Sequence, residues 1–200
     1  MKMESVQWEK MEGLLPAVVQ DAETLQVLMV GYMNREALTA TLETKRVTFY
    51  SRSKRRLWTK GETSGNFLNL VSVELDCDGD SLLCLANPAG PTCHRETESC
   101  FGDAKAPGIG FLAQLNRVVG QRFAERPAGS YTTKLFDEGL DRMAQKVGEE
   151  GVEVVIAAKN EAVEPLRGEA ADLIFHLLVL LRAKGVALGD VVETLRARHK

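Results

Sequence analysis

The chain has 200 residues, enough for two small domains, and it is 44% hydrophobic and 26% charged with a formal net charge of −3. This composition excludes a disordered chain or a collagen-like repeat, and the near balance of charge disfavours a general nucleic-acid binder. The longest charge-free apolar stretch near the C-terminus, 173–181, has only nine residues and is too short to span a membrane. Because the N-terminal residues also lack the apolar segment of a secretory signal, we expect a cytoplasmic protein with no membrane partner.

The first half of the sequence predicts a β-rich domain over residues 1–101. Branched and aromatic residues, punctuated by Gly, Asp or Asn, predict strands at 15–19, 25–29, 47–50, 67–75 and 81–86. One helix is predicted among them at 34–44, with Asn34 as its N-cap.

The second half predicts an all-α bundle over residues 111–200. Three glycines and a proline mark a linker at 102–110. After it, apolar residues three and four positions apart from Phe111 to Phe123 predict a helix. Further helices are predicted at 131–145, 146–160, 165–184 and 190–198, the last with Asp190 as its N-cap.

All four cysteines lie between residues 77 and 100. In a reducing compartment they are expected to be metal ligands, reactive thiols or core residues. Cys77, Cys93 and Cys100 could supply three thiolates and leave a fourth tetrahedral position for water, as at a catalytic zinc. Cys84 lies in an apolar segment and is expected to be a buried free thiol, although its participation would make the site a closed structural one. His94, in the polar loop after Cys93, is the candidate general base.

Three aspartates surround the first of these cysteines. In an extended chain Asp76, Asp78 and Asp80 would all point to one side and Cys77 to the other. Carboxylate oxygens suit Mg²⁺ and thiolates suit Zn²⁺, so this segment could hold two different metals. The alternative is an acidic turn that ends a strand.

A basic window at 45–60 contains seven Lys and Arg residues and no acidic residue. It leads into Trp58–Gly65, whose hydroxyls, glycines and lysine could hold a phosphate and stack an aromatic base. The alternative is a solvated strand pair joined by a hairpin. RNA binding is disfavoured because aromatic residues are not interleaved with the basic ones.

The segments WTKGETSG and DCDGD, together with Cys93-His94 and Cys100, closely resemble phosphoribosyl-AMP cyclohydrolase over about residues 10–101. This resemblance implies Zn²⁺ on Cys77, Cys93 and Cys100, shared between the chains of an intertwined dimer, and Mg²⁺ on the three aspartates. The implied reaction opens the adenine ring of phosphoribosyl-AMP at the N1–C6 bond by zinc-activated water. The residues expected to bind this substrate are Arg52, Trp58, Lys60, Gly61, Thr63, Ser64 and Arg95.

A second set of carboxylates lies on two helices of the C-terminal half. Successive helical residues turn by about 100°, so the three glutamates of 149–153 lie on one side and the acidic pair at 169 and 172 lies one turn apart. Because their neighbours are strongly apolar, these carboxylates would need cations, and Mg²⁺ with a polyphosphate meets that need. The alternative is a solvated acidic face. The residues concerned are Glu149, Glu150, Glu153, Glu169 and Asp172, with Lys146 on the same arc, and His176 is expected to be a satisfied core histidine.

This pattern resembles the all-α nucleoside-triphosphate pyrophosphohydrolases of the MazG type. More closely, 130–136, 146–159 and 169–172 resemble phosphoribosyl-ATP pyrophosphatase, and the likeness covers about residues 111–199. It implies Mg²⁺-dependent hydrolysis between the α and β phosphates, with Glu150 and Lys146 at the reacting centre and Lys134 on the polyphosphate. Gly151 departs from the pattern and costs about 1 kcal/mol of helix propensity relative to Ala.

The two implied reactions are consecutive, because the product of the C-terminal one is the substrate of the N-terminal one. The sequence therefore predicts a bifunctional hydrolase of histidine biosynthesis that uses Zn²⁺ and Mg²⁺, acts on small phosphoribosyl nucleotides and forms a homodimer. The alternative is a zinc-stabilised nucleotide- or RNA-binding protein with a helical dimerisation module.

Overall fold

The computed structural model describes residues 3–102, 106, 108–160 and 162–199. They form two compact units, Met1–Phe111 and Leu112–Lys200. Of the predicted linker at 102–110, residues 103–105 and 107 lie outside the described residues. The first unit holds the strands of the described chain and the second is helical, which confirms the predicted β-rich and all-α halves.

The first unit contains a four-stranded sheet and a two-stranded hairpin. The elements are β1 Leu15–Asp21, β2 Val27–Met33, α1 Arg35–Thr44, β3 Thr48–Ser51, β4 Arg56–Thr59, β5 Leu68–Leu75 and β6 Leu82–Pro88. In the large sheet the strand order is β2-β1-β6-β5, where β1 and β6 are parallel and the other pairs are antiparallel. Strands β3 and β4 form the hairpin.

Alternation along the strands builds the core of this unit. Every second residue of β1, from Leu15 to Asp21, is buried, because successive side chains of a strand point to opposite faces. The apolar ones, Leu15, Ala17 and Val19, pack in one core with Leu38 of α1 and Phe49 of β3. The predicted cap of α1 is confirmed, since the Asn34 side chain accepts a hydrogen bond from the Ala37 N–H at 2.8 Å.

Two local predictions for this unit differ from the structure. The second strand begins at residue 27 rather than 25, because Asp21 accepts the Glu23 and Thr24 N–H groups and folds 21–26 into a turn. Strand β4 was not among the predicted strands, since it has only four residues and its first, Arg56, continues a basic run. The backbone of the basic window is instead the hairpin that the sequence offered as the alternative. In this hairpin β3 and β4 are antiparallel, and Ser51 pairs with Arg56.

The second unit contains five helices within the described residues. The predicted break between residues 145 and 146 is wrong: the chain breaks at Gly139, whose φ of 90° lies outside helical backbone. Asp190 is not the N-cap of the last helix, because that cap is Ala187, whose N–H donates to the Asp190 side chain at 3.2 Å. The helices are α2 Gly110–Glu125, α3 Tyr131–Glu138, α4 Leu140–Ala157, α5 Val163–Ala183 and α6 Leu188–Arg198.

The core of the helical unit is small. Its buried side chains include Val119, Leu135, Met143 and Val179. The apolar residues expected to bury the carboxylates are instead largely exposed, and Val152, Val155 and Ile156 of α4 each keep 59% of their surface accessible. Among the described helices, none has the length and apolar character to cross a membrane.

Candidate active sites

A cavity of about 500 Å³ lies in the β-rich unit. The end of β4, the turn that follows it and the loop after β6 form its walls. The structure therefore brings together eight residues that the sequence singled out, namely Trp58, Lys60, Gly61, Thr63, Ser64, Cys93, His94 and Cys100.

Local backbone geometry shapes both walls of this cavity. Gly61 has a φ of 91°, and a Cβ there would lie 2.5 Å from the Asn66 carbonyl carbon, so the turn requires glycine. In the opposite wall the Cys100 N–H donates to the Leu28 carbonyl at 2.8 Å and ties the cysteine loop to β2. The Ser99 hydroxyl adds a bond of 2.8 Å to the Val27 carbonyl.

The two cysteines of this wall are electrostatically different. Hydrogen bonds from the Arg95 backbone N–H and the Thr97 hydroxyl lower the pKa of the Cys93 thiol, whereas burial raises the pKa of Cys100. Burial also lowers the pKa of Lys60, against the opposing effect of the two cysteines. The Cys93 Sγ lies 3.8 Å from His94 Nδ1, so the candidate base adjoins the thiol pair.

Two predicted substrate contacts lie outside the lining of this cavity. The Arg52 guanidinium stacks over the Tyr32 ring at 4.1 Å, and Arg95 is an exposed residue of the cysteine loop. Sequence reasoning also missed five lining residues, which are Met29, Asn66, Pro91, Thr92 and Glu96. Asn66 and Thr92 directly adjoin the predicted motifs, and this adjacency was the signal that could have found them. The Thr92 hydroxyl is buried without a hydrogen-bond partner in the described part of the chain.

The three aspartates lie on the turn between β5 and β6. The predicted extended conformation is wrong, because Gly79 has a φ of 80° and Asp76 accepts the Asp80 N–H at 2.9 Å. The carboxylates nevertheless converge, with oxygens of Asp76, Asp78 and Asp80 within 4.8 Å of one another. Desolvation raises the pKa of Asp76, but backbone hydrogen bonds led by that from the Ser81 N–H bring it below its usual value. The Lys10 ammonium lies 3.0 Å from Asp78.

One chain does not assemble the three-thiol site. Cys77 is exposed on the aspartate turn, and within the described ranges Cys77, Cys93 and Cys100 do not form a group of ligand atoms within 4.8 Å of one another. Cys84 is buried on β6, as expected, and burial raises its pKa to about 12.

On the helical unit three of the five predicted carboxylates converge. Oxygens of Glu150 on α4 and of Glu169 and Asp172 on α5 lie within 4.8 Å of one another, and Glu150 is buried. Glu149 instead accepts bonds from Gln145 at 2.7 Å and Lys146 at 2.9 Å. Glu153 adjoins Glu150 outside this group, and burial, followed by the Glu150 charge, raises its pKa.

Lys146 and His176 both approach the buried Glu150. The Lys146 Nζ lies 2.6 Å from Glu150 Oε1, and this contact raises the pKa of Lys146 and lowers that of Glu150. His176 is buried, as expected of a core histidine, and its Nε2 lies 3.7 Å from the same oxygen. Its Nδ1 has no hydrogen-bond partner among the described atoms, so the expectation that this histidine is satisfied is wrong. Lys134 lies on α3, where it lines a different cavity.

Both units match known families. Residues 29–102 match the model of phosphoribosyl-AMP cyclohydrolase, and residues 112–199 match that of phosphoribosyl-ATP pyrophosphohydrolase. The chain is 55% identical to the histidine biosynthesis bifunctional protein HisIE of Xanthomonas campestris over 99% of this chain and 95% of that relative. The chain belongs to this bifunctional family. It is also similar to the HisIE proteins of Escherichia coli K12, at 56% identity over 96% of this chain and 95% of the relative, and of Bacteroides thetaiotaomicron, at 53% over the same shares.

The two family matches place each candidate site in an enzyme domain. The cavity with the cysteine pair lies in the cyclohydrolase domain, and the Glu150 group lies in the pyrophosphohydrolase domain. Both resemblances seen in the sequence are thereby confirmed. The two-domain hydrolase of histidine biosynthesis is supported over the zinc-stabilised binding protein.

Proposed function

We propose that the helical domain hydrolyses phosphoribosyl-ATP to pyrophosphate and phosphoribosyl-AMP, and that the β-rich domain then opens the adenine ring of that product at the N1–C6 bond. One observation carries this proposal: each family domain gathers its own set of metal-ligand atoms. The carboxylates of Glu150, Glu169 and Asp172 converge in one domain, and the thiols of Cys93 and Cys100 share a cavity in the other.

The carboxylate group of the helical domain fits Mg²⁺. Its three side chains offer only oxygen atoms, which Mg²⁺ prefers, and the buried Glu150 needs a neighbouring cation. Bound Mg²⁺ would offset the negative charge of the polyphosphate. Lys146 keeps Glu150 ionised and fixes its orientation, since their atoms lie 2.6 Å apart. We assign Lys134, whose exposed ammonium extends from α3, to the polyphosphate.

The cysteine pair fits Zn²⁺ when a third thiolate is added. Zinc would make its water a better nucleophile. Around it, Trp58 offers a ring to the substrate base, the buried Lys60 offers a cation, and His94 lies close enough to exchange a proton. Asp76, Asp78 and Asp80 offer a second, all-oxygen set for Mg²⁺.

We infer that the enzyme is a homodimer in which zinc ligands come from two chains. A single chain places Cys93 and Cys100 in one cavity but leaves Cys77 outside their group, so Cys77 of a second copy is the candidate third ligand. The exposed apolar residues of α4 also need a cover. A reducing cytoplasm would keep these three free thiols available for zinc.

Two substitutions should separate the steps. In protein supplied with Zn²⁺ and Mg²⁺, Glu150→Gln should lower pyrophosphate release from phosphoribosyl-ATP by at least about a hundredfold, because a metal ligand and the Lys146 partner are lost. It should spare ring opening of supplied phosphoribosyl-AMP. Cys93→Ser should have the opposite effect. Pyrophosphate release and the absorbance change of ring opening measure the two steps.

Matched variants control for folding. Glu164→Gln neutralises an exposed glutamate of α5, and Cys84→Ala removes a thiol that faces the core, so both should retain both activities. Loss of both activities in folded Glu150→Gln protein would contradict two separate sites. Absence of turnover in the unmodified protein, with both metals bound, would overturn the proposed function.

A further inference from the structure

A cavity of about 660 Å³ lies at the start of α3 in the helical domain. The end of α2, the following turn and α3 form its walls between residues 126 and 138. Its volume is in the range of small-molecule sites. Neither the carboxylate group nor Lys146 belongs to its lining, so the proposed metal site does not account for this cavity, from which only Lys134 has been assigned a role.

Tyr131 gives this cavity an exposed aromatic face. The side chain is 53% exposed, although the ring is held from behind. It stacks against Phe175 with centroids 6.2 Å apart and planes 25° apart, and it meets His176 edge to face at 6.0 Å. Because Phe175 and His176 hold the Tyr131 ring and about half of its surface stays accessible, the ring offers a free face on which a flat group of a ligand can stack.

The aromatic cluster joins this cavity to the carboxylate group. His176, which contacts Tyr131 on one side, places Nε2 3.7 Å from Glu150 Oε1 on the other. One imidazole ring therefore separates the Tyr131 ring from the carboxylates. In a nucleotide, a ribose separates the flat base from the first phosphate, so a polyphosphate at Glu150 would bring its base toward Tyr131.

We propose that the purine base of the pyrophosphohydrolase substrate stacks on Tyr131 in this cavity. The inference rests on the proposed function, because it takes the carboxylate group as the site of the phosphates. Lys134, which we assign to the polyphosphate, belongs to the same lining, where its ammonium lies 3.7 Å from Glu138. Tyr131 is thus a binding residue for the base and has no part in phosphate hydrolysis itself.

Steady-state kinetics with phosphoribosyl-ATP tests this role. Tyr131→Leu keeps an apolar group against Phe175 but removes the aromatic face, and loss of one base-stacking contact should raise KM about tenfold. Turnover at saturating substrate and the Mg²⁺ concentration for half-maximal rate should change less than about twofold, because the carboxylates stay in place. Tyr131→Phe keeps the ring and should retain the original KM.

The outcomes separate the stacking proposal from the proposed function. An unchanged KM in Tyr131→Leu protein that still releases pyrophosphate would overturn stacking alone. So would equal damage in Tyr131→Phe, which would assign the effect to the hydroxyl, or a shifted Mg²⁺ requirement, which would show that Tyr131 acts through His176 and Glu150. No pyrophosphate release from the unmodified enzyme would remove the proposed function and the stacking role with it. Circular dichroism melting of each variant verifies folding.

Discussion

At the residue scale, two lysines at the candidate sites have pKa values displaced in opposite directions. Burial lowers the pKa of Lys60 in the cyclohydrolase cavity. Hydrogen bonds to Glu150 and Glu149 raise that of Lys146. The difference follows from partners: Lys146 has carboxylates within 2.9 Å, whereas the Lys60 ammonium donates to the Asn66 carbonyl at 3.4 Å. Lys146 therefore stays protonated beside Glu150 and supplies the positive charge at the carboxylate group.

We expect Lys146→Met to destabilise the metal-free protein by about 2 kcal/mol at neutral pH, because the buried Glu150 would lose its cation. The pKa of Glu150 in the folded protein is lowered from 4.5, so the stability it contributes is present above that value and is lost as pH falls through the folded pKa. The deficit of the variant should therefore shrink in acid.

Urea unfolding of both proteins, at neutral pH and again well below pH 4.5, measures this change. Lys159→Met, which removes an exposed lysine beyond the end of α4, is the control and should leave the free energy of unfolding nearly unchanged. A deficit that is equal at both pH values would show that Lys146 stabilises the helix by packing rather than by its charge.

At the element scale, two glycines inside regular elements have opposite roles. Gly31 of β2 faces Phe49, and a Cβ there would lie 2.3 Å from the Phe49 ring. Outside the adjacent turns of its own helix, no atom of the described residues lies within 4 Å of a Cβ built at Gly151 of α4. The first glycine is therefore required by packing, whereas the second lowers the helix propensity of α4 without a packing reason among the described residues.

Alanine should consequently have opposite effects at these two positions. Gly31→Ala should lower the free energy of unfolding by about 1–3 kcal/mol, since the core is overpacked. Gly151→Ala should raise it by about 0.5–1 kcal/mol. Chemical denaturation, followed by the fluorescence of the tryptophans for Gly31→Ala and by helical circular dichroism for Gly151→Ala, measures both. A stable Gly31→Ala protein would mean that Phe49 moves aside at little cost.

At the scale of the whole molecule, the helical domain combines a small buried core with several exposed apolar side chains. Val152, Val155 and Ile156 on α4 and Val163 on α5 are each more than half exposed. The composition, 44% hydrophobic residues, does not indicate which of these residues are exposed. Exposed apolar side chains concentrated on one helix favour association with a second copy.

Ile156→Glu should therefore shift the protein toward monomer, because a charge would have to be buried in the interface. Light scattering coupled to size-exclusion chromatography measures the change. Lys184→Glu introduces the same side chain at an exposed polar position and should keep the original mass. An unmodified protein that is monomeric throughout the concentration series would contradict the dimer, and an unaffected Ile156→Glu dimer would place its interface elsewhere.

Local features of the sequence could predict much of this fold. Asn34 has the short polar side chain that caps a helix, and the alternation of β1 directly encodes which residues are buried. Helix boundaries depend on more than local spacing. Apolar spacing continues across Gly139, so the break there depends on a backbone conformation that periodicity does not report.

The sequence by itself determined the two domain types, the family and the chemical classes of the ligand atoms, because these depend on residue identity, order and spacing. Only the tertiary structure decided which ligand atoms meet. It selected Glu150, Glu169 and Asp172 from five helical carboxylates and left Cys77 outside the group of Cys93 and Cys100. It also placed His176 between Tyr131 and Glu150. Such meetings depend on how distant segments pack, and packing contacts leave no fixed spacing in the chain.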